Sequence, residues 1–143
     1  MNEGRQEWGV VMLLCDYAEE LNGKLYVMGG GWSRLFLPNQ PINMALAIKM
    51  LVPWNEANRA HNIGVRLVTQ DENPIKNEQG EDIQLIGKME VGRPPGIRPG
   101  SRIDAPLALR FQGLSLDPGV YKWEFLVDDY VLESAVFDVV API

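Results

Sequence analysis

The sequence predicts an all-β protein whose strands form two packed layers. Apolar and polar residues alternate in several segments, such as the one from Tyr121 to Phe125. A period of two is typical of strands that bury one face and expose the other. The predicted strands start about 15–20 residues apart, which leaves no room for the helices that connect parallel strands. Turn-forming residues separate the segments, as expected for antiparallel hairpins.

The first strands are predicted from an apolar run and a hairpin signal. The segment from Val10 to Cys15 is apolar on both faces, which is typical of a central strand. A helix that continues to Leu21 is the alternative interpretation. Asn22-Gly23 favours a two-residue turn, because both residues tolerate positive φ. In all, about eight strands are predicted in one domain of residues 1–143; they lie roughly at 8–15, 24–29, 43–52, 61–70, 83–91, 103–111, 120–127 and 131–140.

Proline and aspartate mark the boundaries of the later strands. Prolines lie at or near the predicted strand ends, since proline cannot donate a hydrogen bond within a central strand. A short helical turn is predicted from Trp54 to Arg59, after Pro53. Asp117-Pro118-Gly119 precedes the seventh strand and Asp128-Asp129 follows it. We therefore predict a two-layer antiparallel β-sandwich of immunoglobulin-like or jelly-roll type, with a closed barrel as the alternative.

The composition excludes several classes of protein. The chain has 143 residues, of which 46% are hydrophobic and 22% charged, as in globular domains that fold without metals or disulfides. Its formal net charge of −6 disfavours general nucleic-acid binding. No run reaches the roughly 20 apolar residues of a membrane span, and residues 1–8 lack the basic start of a signal peptide. We expect a cytoplasmic protein, or one inside an assembled particle.

Four segments of the chain resemble a known family. They are Leu14 to Trp32, Val52-Pro53-Trp54-Asn55, Val91-Gly92-Arg93-Pro94-Pro95-Gly96 and Pro118-Gly119-Val120-Tyr121-Lys122-Trp123. On these motifs, nearly the whole chain resembles an uncharacterised family of small bacterial and phage β-sandwich proteins. The resemblance implies relatedness, but it implies no activity, cofactor or catalytic residue.

Residues for catalysis or metal binding are sparse. His61 is the only histidine, which excludes histidine pairs and triads as metal ligands within one chain. We interpret His61 as a strand-end residue bonded to backbone, and the lone Cys15 as a small buried hydrophobe. Asp128-Asp129 would form a calcium site only if several other loops converged on it. The sequence therefore predicts no enzyme activity, no cofactor and no metal.

The glycine run and two tryptophans each have more than one interpretation. Gly29-Gly30-Gly31-Trp32 can form an anion-binding nest, or it can bend a strand and make room for Trp32. We favour the bend, because no helix follows and the phosphate-loop spacing is missing. Trp123 lies on an apolar strand face and is predicted to be in the core. Trp54 is either an exposed anchor for a partner or a cap over the end of the sheets.

A candidate binding site follows from strand direction. If every connection reverses the direction of the chain, alternate loops lie at the same end of the sheets. One end then contains the loops 16–23, 53–60, 92–102 and 128–130, and the other end contains the loops 30–42, 71–82 and 112–119. The first end then holds Tyr17, Trp54, Asn55, Asn58, Arg59, Arg93, Arg98 and Arg102. Arginines favour fixed contacts to carboxylates or phosphates. Six acidic residues are predicted at the same end, and their pairing with the arginines within the chain is the alternative to an anionic ligand: Asp16, Glu19, Glu20, Glu56, Asp128 and Asp129.

These observations favour a non-enzymatic binding or assembly module. Its loops would bind a protein partner or further copies of the chain, with Trp54 and Arg93 as the anchors. The alternative is a small-ligand or carbohydrate-binding β-sandwich domain that uses Trp54 and Trp32. A third hypothesis is an enzyme whose site is completed across an oligomer interface.

Overall fold

The computed structural model of the protein describes residues 7–37 and 41–141, which fold into two β-sheets. Nine strands occur in this part of the chain: β1 Gly9–Leu21, β2 Lys24–Gly30, β3 Arg34–Phe36, β4 Ile42–Val52, β5 Ala60–Thr69, β6 Gln84–Glu90, β7 Ile103–Leu114, β8 Gly119–Val127 and β9 Tyr130–Val140. The only helical element in these ranges is the 3₁₀ turn Trp54–Glu56. The ranges therefore contain no helix that is long and apolar enough to cross a membrane. The all-β prediction is confirmed. Pro38, one of the prolines predicted to lie at or near a strand end, is outside the described ranges, as are the first six residues.

The two sheets differ in size and in strand direction. The four-stranded sheet has the order β2-β1-β4-β7, and all its neighbours are antiparallel. The five-stranded sheet has the order β3-β9-β8-β5-β6 and is antiparallel except that β3 runs parallel to β9. The described residues form two sheets that share no strand. They therefore do not form the closed barrel that was the alternative prediction. Asn22 and Gly23, with φ of +52° and +79°, form the predicted hairpin turn.

One apolar core lies between the sheets. Trp123 of β8 is fully buried, as predicted, and its Nε1 donates to Sδ of Met44 on β4 at 3.2 Å. The ring of Phe111 on β7 packs on Trp123 with centroids 4.3 Å apart. Both sheets supply the other large core side chains, which include Leu46, Ile48, Met50, Leu67, Phe125 and Phe137.

A second, smaller cluster lies where the four-stranded sheet is curled. β1 pairs with β4 only as far as Cys15, opposite Ala45, and then continues with β2 beyond β4. Ala18 is fully buried in this cluster with Cys15, Ala45 and Ala47, and Leu25 and Ala108 pack against it. Burial raises the pKa of the Cys15 thiol, and the charge of Asp16 raises it further. Cys15 is thus the buried small hydrophobe that the sequence predicts.

The structure corrects the predicted strand pattern in the first third of the chain. β1 does not end at residue 15 but continues to Leu21, so the segment 16–21 is neither a loop nor a helix. β3 was not predicted; it pairs parallel to β9 and makes the five-stranded sheet mixed. Because β2 and β4 are both antiparallel to β1, they run in the same direction, whereas the predicted pattern has them run in opposite directions. Pro106 lies within β7, an edge strand, where its missing N–H leaves the sheet intact.

Candidate functional site

Three loops meet where β4 ends and β5 begins. They are residues 53–59, 91–102 and 128–129, and we name them the arginine end after Arg59, Arg93, Arg98 and Arg102. The N–H of Asn58 donates to the carbonyl of Val91 at 2.7 Å, which joins the first two loops. The N–H of Asp128 donates to the carbonyl of Asn62 on β5 at 2.8 Å and fixes the third. The sequence prediction placed these three loops together correctly.

Trp54 and Arg93 form a stacked pair at this end. Pro53 is buried and begins the 3₁₀ turn, which places Trp54 half-exposed at the surface. The guanidinium of Arg93 lies 4.1 Å from the centroid of the Trp54 ring. Its Nη2 and Nε donate to the Trp54 carbonyl at 2.7 Å and 3.3 Å. The backbone bonds and the ring hold the arginine in one orientation while its charge remains exposed.

His61 is buried at the arginine end and connects two of its loops. Its side chain is only 3% exposed, with the edge of the Trp8 ring against it at a centroid distance of 5.2 Å. Nδ1 lies 2.7 Å from Oδ2 of Asp128, and Nε2 lies 2.8 Å from the carbonyl oxygen of Glu56. The Asp128 carboxylate and the Glu56 carbonyl can only accept hydrogen bonds. The doubly protonated imidazolium, which donates from both ring nitrogens, is therefore the form of His61 that makes both bonds.

The hydrogen bond between His61 and Asp128 raises the pKa of the histidine and lowers the pKa of the aspartate. Burial lowers the pKa of His61, but the hydrogen bonds to Asp128 and Glu56, with the charges of both carboxylates, outweigh burial and raise it overall. The hydrogen bond from His61 lowers the pKa of Asp128; burial opposes this, and the N–H of Asn62, which donates to Oδ1 at 3.0 Å, supports it. With both ring nitrogens donating, His61 has no lone pair with which to act as a general base.

The other candidate residues of the arginine end lie at its surface. Asn55, Asn58 and Arg98 are exposed, and Arg59 lies 3.4 Å from Glu56. Nη1 of Arg102 donates to the carbonyl of Glu7 at 3.3 Å. Within residues 7–37 and 41–141, no carboxylate forms an ion pair with Arg93, Arg98 or Arg102. Over the same ranges, no three side chains of the types that bind metals come together as a site.

Tyr17 does not belong to the arginine end, contrary to the sequence prediction. Its hydroxyl accepts a hydrogen bond from Nη1 of Arg110 at 2.7 Å, and the same guanidinium lies 5.1 Å from the Tyr17 ring centroid. Since β1 is antiparallel to β4, it leaves the arginine end at Gly9 and carries Tyr17 away from it. Three of the six acidic residues predicted at this end move away with it: Asp16, Glu19 and Glu20.

The glycine run is occupied by a side chain of the protein itself. Gly29 has φ of +62°, and a Cβ on it would collide with the carboxylate of Asp16. Oδ1 of Asp16 accepts a hydrogen bond from Nε1 of Trp32 at 3.1 Å, and Trp32 packs edge-on against Phe137. An anionic carboxylate beside the glycines disfavours an anion nest and agrees with the structural interpretation. Trp32 and Trp54 lie at opposite ends of the sheets, so they form no common surface.

An apolar groove, which the sequence analysis missed, lies between the edges of the two sheets. It has a volume of about 270 Å³ and lies between β6 and β7, with Ile63, Leu85, Leu107, Leu109 and Phe125 in its lining. Gly87 also lines it, and no atom lies within 4 Å of where its Cβ would be. The sequence gives one signal for this groove: Gly64 and Gly87 interrupt apolar strands that the structure pairs with each other.

A comparison with protein-family models relates the chain to other sequences. The model of a family of unknown function, DUF6941, matches residues 10–140. The chain belongs to DUF6941. This confirms that the chain is related to a family of unknown function, and the match includes both the arginine end and the apolar groove. No curated protein matches the sequence of this DUF6941 member.

Proposed function

We propose that this DUF6941 protein is a non-enzymatic binding or assembly module and that its arginine end binds a protein partner or further copies of the chain. The Trp54–Arg93 pair is the observation that carries the proposal. Tryptophan and arginine are the residues that most often dominate the binding energy of protein interfaces. Here the arginine is already held by the Trp54 carbonyl, so binding requires little further ordering of its side chain.

The chemistry of His61 supports a binding role rather than catalysis. Its two ring nitrogens are engaged by Asp128 and Glu56, and the side chain is buried beneath the loops. Such a histidine fixes loop positions and takes no proton from a substrate. As part of the same proposal, the free, buried Cys15 fits a reducing compartment such as the cytoplasm.

For the architecture, we propose a sandwich of immunoglobulin-like or jelly-roll type. The two sheets share one core, in which Phe111 and Trp123 come from different sheets. Each sheet has two edge strands, as in a sandwich and unlike a closed barrel, and this supports the sandwich class. The parallel β3–β9 pair is its one departure from the antiparallel pattern.

Substitutions of Trp54 and Arg93 test the proposed function. The tagged parent and variants are used to capture partners from a lysate of the cells that encode the protein. Trp54→Ala and Arg93→Glu should each weaken retention of a captured protein by about 30-fold, because interface anchors contribute about 2 kcal/mol or more. Tyr26→Ala and Lys88→Glu change an exposed aromatic ring and an exposed cation elsewhere and should retain it like the parent. Equal retention by all four variants would contradict the proposal.

The apolar groove favours a second candidate function, the binding of a small ligand. Its lining consists of aliphatic and aromatic side chains and two glycines, so the matching ligand is apolar rather than a sugar. This candidate predicts that a small apolar probe raises the melting temperature of the parent and of Arg93→Glu by equal amounts, as measured by differential scanning fluorimetry.

A further inference from the structure

The charges of the chain are divided between its two ends. Opposite the arginine end lie the loop 70–82 and the segment 112–118, which includes the last residues of β7; we name them the acidic end. The acidic end carries one lysine, Lys76, against six acidic residues: Asp71, Glu72, Glu78, Glu81, Asp82 and Asp117. The arginine end carries its four arginines against only three acidic residues: Glu56, Asp128 and Asp129. Most of the net charge of −6 therefore belongs to the acidic end.

Several of these charges have no partner of opposite sign nearby. At the acidic end, Lys76 pairs with Asp82, and Lys122 of β8 pairs with Glu72 at 3.1 Å. Four exposed acids there form no ion pair within the part of the chain that the structure describes: Asp71, Glu78, Glu81 and Asp117. At the arginine end, Glu56 and Asp128 are engaged by Arg59 and His61, whereas Arg93, Arg98 and Arg102 pair with no described carboxylate.

The two ends are too far apart to neutralise each other within one molecule. β4 has 11 residues and runs from the acidic end to the arginine end. At about 3.3 Å per residue it spans roughly 36 Å. Salt screens charges beyond about 8 Å at physiological ionic strength. The unpaired arginines are thus free to bind acids of another molecule.

We propose that the arginine end of one copy binds the acidic end of a second copy, so that the protein associates head to tail. This inference rests on the proposed function and identifies its partner through charge complementarity: three arginines face four carboxylates. Trp54 and Arg93 lie at the centre of the contact, and Arg98 and Arg102 lie at its rim. Because two different surfaces meet, copies add in a line or close into a ring.

Charge reversal at either end tests this proposal. The first variant is Arg93→Glu with Arg98→Glu, and the second is Glu78→Lys with Glu81→Lys; all four side chains are exposed. Mass is measured by size exclusion with light scattering, after circular dichroism has confirmed folding. At low salt, the mass of the parent should rise with concentration above 16.0 kDa, and it should return to 16.0 kDa at high salt. Each variant alone should remain at 16.0 kDa.

An equal mixture of the two variants is the decisive sample. The first variant keeps the parent's acidic end and the second keeps the parent's arginine end, so one unchanged contact can form between them, and association should return as dimers. Lys24→Glu with Lys88→Glu reverses two exposed lysines outside both ends and should associate like the parent. A parent that is monomeric at every salt concentration overturns the proposal, as does a mixture that does not associate. Association that survives both reversals overturns it as well and assigns the contact to another surface.

The same variants separate this inference from the proposed function. If the parent is monomeric but captures another protein through Trp54 and Arg93, head-to-tail association is wrong and the proposed function stands. If substitutions of Trp54 and Arg93 change neither association nor capture, both are wrong.

Discussion

His61 connects three parts of the arginine end through one buried ring. It lies at the start of β5 and bonds to Asp128 in the turn after β8 and to Glu56 in the 3₁₀ turn. The sequence predicted the backbone bond, because a lone histidine at the head of a strand commonly has one. It did not predict the bond to Asp128, since the two residues are 67 positions apart and meet only because β5 pairs with β8.

The His61–Asp128 pair should make stability depend on pH. The pKa of His61 is raised above its ordinary value of 6.5, so its stabilisation is complete below that pH and is lost as the pH rises through the folded-state pKa. The pKa of Asp128 is lowered from 3.8, so its stabilisation is present above that pH and is lost as the pH falls through the folded-state pKa. We therefore expect the pair to stabilise the fold most between about pH 4 and pH 6.5.

Urea denaturation at pH 6 and pH 9 measures this dependence. The free energy of unfolding of the parent should be lower at pH 9 than at pH 6, whereas His61→Gln should lack this difference. At pH 6 the variant should be less stable by about 1–3 kcal/mol, because it loses the charge-assisted hydrogen bond to Asp128. Equal pH dependence in the parent and the variant would show that the buried ring does not carry the effect.

The elements of the first third of the chain show the limit of prediction from local pattern. Residues 16–21 contain two glutamates and an alanine, which favour a helix or a loop, yet they continue β1. Packing decides their conformation, because Ala18 fits against Ala45 and Ala47 in the curled sheet. β3 is only three residues long, too short for a period of two to be recognised, and its partner β9 lies about 100 residues later. The other seven strands follow a clear alternation or turn signal and were predicted to within a few residues.

Enlarging Ala18 tests the packing of the second half of β1. Ala18 is fully buried, so Ala18→Leu should lower the free energy of unfolding by about 1–3 kcal/mol through overpacking. Its neighbour Glu19 is exposed on the same strand, and Glu19→Leu should change stability by no more than about 0.5 kcal/mol. Both values come from urea denaturation. Equal effects of the two substitutions would contradict the described path of β1.

For the whole molecule, strand direction predicted most of the candidate site. Counting reversals placed 53–59, 91–102 and 128–129 together, because the strands that flank these loops do reverse. The same count failed for Tyr17, since the unpredicted β3 lets β2 and β4 run in the same direction. This correction changes the charge of the site. Without Asp16, Glu19 and Glu20, the arginines exceed the acids at that end, and the balance favours an acidic protein surface as the partner.

The central claim is that the arginine end is the interaction surface of the protein. The most direct measurement is a two-dimensional amide NMR spectrum recorded on dilution at low salt, which reports the residues whose surroundings change as copies separate. We expect shifts concentrated in loops 53–59 and 91–102, matched by shifts in residues 70–82 and 112–118, and their loss at high salt. Shifts confined to β6 and β7 beside the apolar groove, or a spectrum unchanged by dilution, would contradict it.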